Sequence, residues 1–340
     1  MKSKNQKIAS VFQAMFFNRC SPEQIEAHLK QLSGLLNIST FHFNNELQTQ
    51  HINLTNGLAV STHLASKCFE DYLRTYNFMF GAYRAVLAQL ANNPNIPVKI
   101  LYAGTGPFCT IILPILYLSK VNQISITTLE INTDSYSFSK KVISSLGKEG
   151  YFDSMQLINA LDFHSDEPFD IIISETMDKA LSREPQLAIF SHLSKFISET
   201  GTLIPQNIKV DLVASSVFLE KPVDYDCHSD SMTRVENWKH RQFVCTLIEA
   251  NRSFYIKNDM SGTQKLFLKS FQTNQIKANL NELYLLTEVQ VYEELKLFED
   301  DSWLTKQYIA YSLSEKNRGK QFNACYLNSE SPRIELVPVS

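Results

Sequence analysis

The sequence predicts a mixed α/β chain in three parts: a helical region over residues 1–92, a doubly wound parallel sheet over 93–205, and an antiparallel β-rich, barrel-like region over 206–340. Three observations predict it. Before residue 92, apolar side chains recur at three- and four-residue steps, the period of a helix with one buried face. Between residues 98 and 204, short apolar runs alternate with helix-like stretches at the spacing of βαβ units, which builds a parallel sheet. After Pro205 the texture changes to short β runs with little helical period.

In chain order, Ile8, Val11, Phe12, Met15 and Phe16 mark the first helix, and Ser21-Pro22-Glu23-Gln24 opens a second, with a capping Ser and Pro in the first turn. Residues 37–57 are polar and Asn-rich and read as a loop. Ser61 to Leu90 reads as two helices broken near Asn77 or Gly81. Asn92-Asn93-Pro94-Asn95-Ile96-Pro97 punctuates the chain before a buried strand, Val98 to Tyr102. An apolar helix from Phe108 to about Ser119 and a strand over Ile124–Leu129 follow. Next come a helix over Ser135–Leu146, strands at Met155–Ile158 and Phe169–Ser174, and a helix over Gln186–Phe196. Gly201-Thr202-Leu203-Ile204-Pro205 turns the chain into the next strand. The β runs beyond it are 207–216, 242–249, 253–257, 265–271, 283–292, 307–312 and 322–327.

Composition narrows the partners. A chain of 340 residues that is 44% hydrophobic and 20% charged can build large cores, and a net charge of −3 lacks the concentrated basic face that nucleic acid requires. The six cysteines, at 20, 68, 109, 227, 245 and 325, have no CxxC spacing, so neither a zinc site nor a disulfide framework is expected. No run approaches the roughly 20 apolar residues of a membrane span. The expectation is a cytoplasmic protein with neither a nucleic-acid nor a membrane partner.

The first constellation is the turn Ala103-Gly104-Thr105-Gly106, set between a strand and a helix and followed by a strand ending in Glu130. Glycines let a ligand approach the backbone, and an acid at the next strand's tip can accept hydrogen bonds from ribose hydroxyls. A GxG turn also opens NAD- and FAD-binding folds, and loops that bind nothing. Here Pro107-Phe108 stand where a third glycine belongs, which disfavours a pyrophosphate at a bare helix N-terminus. An adenosine ligand without phosphates, S-adenosylmethionine, suits the turn better.

The second constellation is a pair of acids. Glu175 follows the apolar strand ending at Ser174, and Glu184 lies nine residues on, 184 − 175 = 9. Carboxylates emerging from one loop at the C-terminal end of a parallel sheet face the crevice where such folds bind ligands. There they can grip a planar cation through paired hydrogen bonds.

These residues resemble protein arginine methyltransferases. Ile-Ile-Ser174-Glu175-Thr176-Met177, then Glu184, then Gly201-Thr202-Leu203-Ile204-Pro205 is similar to that family's double-glutamate loop and its following G-x-L-I-P. The chain order of helical segment, Rossmann-like methyltransferase domain and C-terminal β-barrel domain is also the family's. The resemblance implies that Gly104 and Gly106 line the methionine moiety of S-adenosylmethionine beside Ala103, and that Glu130 holds the ribose. Asp71-Tyr72-Leu73-Arg74-Thr75 matches the family's Asp-x-x-Arg-Thr, which implies that Arg74 pairs with the cofactor's carboxylate. Asp162 falls where class I enzymes read the adenine edge, and homodimers are common in the family.

Three departures bear on the acceptor. Tyr102 stands where the family has Asp, Phe108 takes the third glycine's place, and the family's Thr-His-Trp signature is missing from the β region. Its nearest counterparts are Asp301-Ser302-Trp303, without the His, and Asn237-Trp238-Lys239-His240, which comes too early. Glu175 and Glu184 are the expected catalytic pair for N-methylation of a guanidinium or amine, in a small molecule or an arginine-containing substrate. Two alternatives stay open: a small-molecule O- or N-methyltransferase, with His164, His192 and His240 as spare bases, and a catalytically silent binding protein.

Overall fold

The computed structural model describes residues 3–38, 49–221 and 231–339. Helices α1 (Lys4–Phe17) and α2 (Pro22–Leu36) open it, each behind a Ser whose hydroxyl and N3 Gln form a reciprocal capping box. Part of the expected 37–57 loop, 39–48, and Cys227 lie outside the described residues. Within the rest of that loop, a short antiparallel hairpin appears, β1 (Ile52–Leu54) and β2 (Gly57–Ala59). The Thr55-Asn56 turn between them is short enough that the polar composition hid two three-residue strands.

Helices α3 (Thr62–Lys67) and α4 (Tyr72–Asn92) do form two elements, but the break falls at Cys68–Asp71, not at Asn77 or Gly81. Asp71 caps α4, Oδ1 accepting from the Arg74 amide at 3.4 Å. Asn77 lies buried within α4, its side chain donating to Leu73 O at 2.8 Å, one turn back. Gly81 lies where α4 crosses the C-terminal region, with Val291 Cγ1 2.9 Å from the position of a Cβ.

The central sheet contains β3 (Val98–Ala103), β4 (Ile124–Glu130), β5 (Phe152–Leu157), β6 (Phe169–Ser174) and β7 (Ile197–Ile204), joined through α5 (Leu113–Leu118), α6 (Thr133–Ser145) and α7 (Gln186–Leu193). All its pairings are parallel, in the order β5-β4-β3-β6-β7. The order reverses between β3 and β6, with Ala103 level with Ser174. That reversal is the switch point where α/β sheets open a crevice. The helix expected from Phe108 is shorter: Cys109 adopts φ 49°, and only a 3-10 turn precedes Leu113.

After the cis Ile204–Pro205 peptide, β8 (Asn207–Ser215) begins an antiparallel region. It continues through α8 (Ser231–Trp238), β9 (Gln242–Asn251), α9 (Arg252–Lys257), β10 (Gln264–Gln272), β11 (Glu282–Tyr292), β12 (Leu295–Leu297), β13 (Tyr308–Ser312), β14 (Gln321–Asn328) and β15 (Arg333–Pro338). One sheet runs β12-β11-β8-β9 with β13 also on β11; the other runs β10-β14-β15. The expected strand at 253–257 is helix α9, because Asn251 Oδ1 accepts from the Phe254 amide at 3.1 Å and starts a turn that apolar spacing alone reads as β. A continuous apolar core joins α1 and α2, the parallel sheet and the antiparallel region.

Candidate active site

A cleft of ≈ 280 Å³ opens at the switch point. Of the eight residues singled out for the site, Arg74, Gly104, Gly106, Glu130, Glu175 and Glu184 line it. Ala103 sits buried in β3 directly beneath, and Asp162 is exposed and outside the lining. Asn159, Oδ1 of which accepts from the Leu161 amide at 3.1 Å, is the polar residue of that loop at the cleft. Lacking a place in the turn's cap, Asp162 faces water, as carboxylates usually do.

At the cofactor-type pole, Gly104 adopts φ 72°, and a Cβ there would lie 2.5 Å from Thr176 Cγ2. Only glycine leaves that approach open. Glu130, buried at the tip of β4, accepts from the Gly106 amide at 2.9 Å and the Thr105 hydroxyl at 3.3 Å on one oxygen, and from the Asn132 amide at 2.9 Å on the other. The acid expected to hold a ribose therefore also ties the glycine turn to β4. Burial pushes its carboxyl up, and the Asn132 and Gly106 amides pull it back. Tyr102, in place of an acid, is buried with its hydroxyl donating to Thr105 O at 3.4 Å; burial pushes it well above the ordinary range, so this wall stays neutral.

At the other pole, Glu175 leaves β6 between Ser174 and Thr176, and Gln186 locks both neighbours. Its Oε1 accepts from the Thr176 amide at 2.9 Å and hydroxyl at 3.2 Å, and its Nε2 donates to Ser174 O at 3.3 Å. Glu175 forms an ion pair with Arg74, their side chains 5% and 12% exposed, and its Oε1 is buried with no hydrogen-bond partner. A buried carboxylate oxygen without a partner costs desolvation that a bound cation offsets. Burial works against the Arg74 charge, while Cys68, Asp71 and Glu184 raise it, so the guanidinium stays charged.

Glu184 is half-buried and lines the cleft, so its carboxyl feels both the protein and the opening. Burial pushes it up to about 7, with Arg74 opposing and Asp178 adding. The two glutamates are thus unequal: one is matched with a cation, the other poised to exchange a proton. The loop between them is strained. Ala180, Leu181 and Arg183 take φ values of 53°, 56° and 66° without being glycine, at a cost of about 1–2 kcal/mol each.

Two walls were not legible as site residues. Leu54 and Leu58 of the β1–β2 hairpin, with Val60 just after it, line the cleft. Gly57 lets this hairpin lie on the glutamate loop, a Cβ there meeting Arg183 O at 2.7 Å. Of the two replacements considered for Thr-His-Trp, the structure brings only Asp301-Ser302-Trp303 to the site. The Ser302 hydroxyl and Trp303 amide donate to Asp71 Oδ2 at 2.7 and 3.0 Å, and Trp303 and Leu304 line the cleft. Asn237 instead braces the Lys221 backbone at 2.8 and 3.1 Å. His164, His192 and His240 are not among the lining residues; His192 is buried with Nε2 2.8 Å from Phe163 O. Among the described residues no cluster of His, Cys, Asp and Glu could hold a metal, and no helix is long and apolar enough to cross a membrane.

No protein-family model and no curated protein matches the chain. Among solved structures, it is similar to the PRMT1 enzyme-prozyme heterotetrameric complex with AdoHcy from Trypanosoma brucei, with a TM-score of 0.49 and 11% identity over 82% of this chain and 98% of that one. It is also similar to an open conformation of Arabidopsis thaliana protein arginine methyltransferase 10, with a TM-score of 0.47 and 11% identity over the same shares, 82% and 98%.

Proposed function

We propose that the chain is an S-adenosylmethionine-dependent methyltransferase that N-methylates a cationic acceptor, a guanidinium or amine, held by Glu175 and Glu184. The observation that carries the reading is the buried, unpartnered Oε1 of Glu175 in a cleft whose opposite pole is a Cβ-free turn over Glu130. These residues fit the cofactor: Gly104 leaves room for its backbone approach, and Glu130 offers an acid at the ribose position. Arg74 has five donors, enough to serve Glu175 and a carboxylate together. Bound there, the cofactor supplies a methyl group on a sulfonium.

The protein's part is to place and to deprotonate. Glu175, fixed by Gln186 and Arg74, offers one oxygen to the acceptor's N–H and orients the nitrogen for in-line displacement, where positioning supplies most of the rate. Glu184, its carboxyl pushed up to about 7, takes one proton from the acceptor nitrogen: as the bond to carbon forms for a guanidinium, and before it for an ammonium, which has no lone pair until it is deprotonated. Leu54, Leu58 and Val60 exclude water from that exchange. A hydroxyl acceptor has one O–H to offer, whereas a guanidinium or amine has N–H donors for Glu175 Oε1 and Glu184 together, so the pair of carboxylates favours nitrogen. The test is tritiated-methyl transfer into arginine, an arginine-rich peptide and a small-molecule extract. Label on nitrogen, lost in Glu184→Gln, supports the reading; label on oxygen only, or full turnover by Glu184→Gln, refutes it.

A further inference from the structure

We propose that Thr287 and Tyr326 of the antiparallel region are positioning residues: they hold the glutamate loop in its left-handed conformation and thereby set where Glu184 stands in the cleft. This rests on the reading of Glu184 given above, but the clamp itself is a separate claim with its own measurements.

The loop 178–184 carries three of the seven non-glycine residues with positive φ among those described. Backbone of that kind persists where surrounding contacts over-determine it. Here the contacts come from outside the loop. The Ala180 amide donates to Thr287 Oγ1 at 3.0 Å, and the Tyr326 hydroxyl donates to Leu181 O at 3.2 Å. The Arg183 amide donates to Pro332 O at 3.0 Å, and Arg183 O accepts from the Leu58 amide at 2.9 Å. Thr287 and Tyr326 are 1% exposed, so neither bond competes with water. The loop's own bonds, such as Leu181 to Asp178 O at 3.1 Å and Ser182 to Lys179 O at 3.1 Å, close local turns without fixing it to the body of the protein.

The clamp gives the antiparallel region a role that its lining residues do not reveal. From β11 and β14 it reaches under the loop, while Trp303 and Leu304 touch the cleft directly. At the cofactor-type pole the glycine turn is tied to Glu130 by bonds of its own, and the clamp's bonds are not among them. Loss of the clamp therefore separates acceptor chemistry from cofactor affinity.

The test compares Thr287→Val and Tyr326→Phe in the full chain with Thr287→Ser, which restores the hydroxyl, and with Glu184→Gln. Tyr326→Phe keeps the ring, so core packing survives. Three quantities are read: affinity for S-adenosylhomocysteine, amide exchange over 178–184, and the carbon-13 titration of the Glu184 carboxyl. Methyl transfer into arginine or an arginine-rich peptide is read beside them. The clamp predicts affinity within about twofold of the parent and loop exchange faster by roughly tenfold. It also predicts a Glu184 midpoint displaced from about 7 toward the ordinary carboxylate range, with turnover lower by about tenfold or more and parental behaviour in Thr287→Ser. Unchanged loop exchange and an unchanged Glu184 titration in both hydroxyl-deleted variants overturn it. If both quantities move while Glu184→Gln still transfers methyl at the parental rate, the clamp stands and the catalytic reading of Glu184 falls.

Discussion

Replacing Glu184 by Gln stabilises the protein at alkaline pH while removing its proposed proton acceptor. Burial raises the folded-state proton affinity of this carboxyl from the ordinary 4.5 to about 7, a difference of 7 − 4.5 = 2.5 pKa units. At 1.36 kcal/mol per unit this is about 3 kcal/mol. Its sign follows from proton uptake. Between the unfolded and folded values the native state binds more protons than the unfolded chain, so stability falls as pH rises through that window, and the full penalty stands above it. Gln has the same shape and no titration. The variant's advantage over the parent should therefore grow by roughly 2–3 kcal/mol between pH 5 and pH 8.5. Urea unfolding of both proteins at the two pH values measures it. An advantage of the same size at both would show that the Glu184 carboxyl is solvated as an ordinary glutamate and would remove the physical basis for its role as base.

Turnover of the parent should rise with pH through a limb near 7, as Glu184 loses its proton, and initial rates from pH 5.5 to 9 should lack that limb in any residual activity of Glu184→Gln. Arg74→Met leaves the Glu175 charge buried without its cation, a loss of about 3–5 kcal/mol; adding Glu175→Gln should recover much of it in a double-mutant cycle by urea unfolding. Gly104→Ala places a methyl 2.5 Å from Thr176 Cγ2 at φ 72°, so titration calorimetry should find S-adenosylhomocysteine bound at least tenfold more weakly, whereas the exposed Asp162→Ala should bind within about twofold. Asn251→Ala removes the cap of α9 and should cost about 1 kcal/mol in the same unfolding assay.

The parallel sheet was legible because its signals are local: apolar runs bounded by turns, a glycine pair, an acid at a strand's tip. Glu175 and Glu184 stood out for the same reason, since both lie in the one loop that follows an apolar strand. The partner each would take could not. The match of Arg74 to Glu175 spans a hundred residues and two elements, and nothing in the spacing favours it over a pairing with the cofactor. The hairpin at 52–59 was missed because strands of three residues carry no alternation to read. Helix α9 was missed because its one-turn cap outweighs a β-like run of Phe254, Tyr255 and Ile256. The clamp residues were invisible for a deeper reason. Thr287 and Tyr326 sit in β strands where such residues belong in any sheet, and only the fold brings their hydroxyls under a left-handed loop. Asp71 was visible as part of a motif, yet its bonds to Ser302 and Trp303 depend on a segment more than two hundred residues away.

The central claim is that the cleft at the β3–β6 switch point takes a sulfonium methyl donor, and titration calorimetry of the full chain with S-adenosylhomocysteine tests it most directly. Saturable one-to-one binding, weakened by Gly104→Ala and kept by Asp162→Ala, is the predicted result; no binding at high micromolar concentration by the folded protein would contradict it.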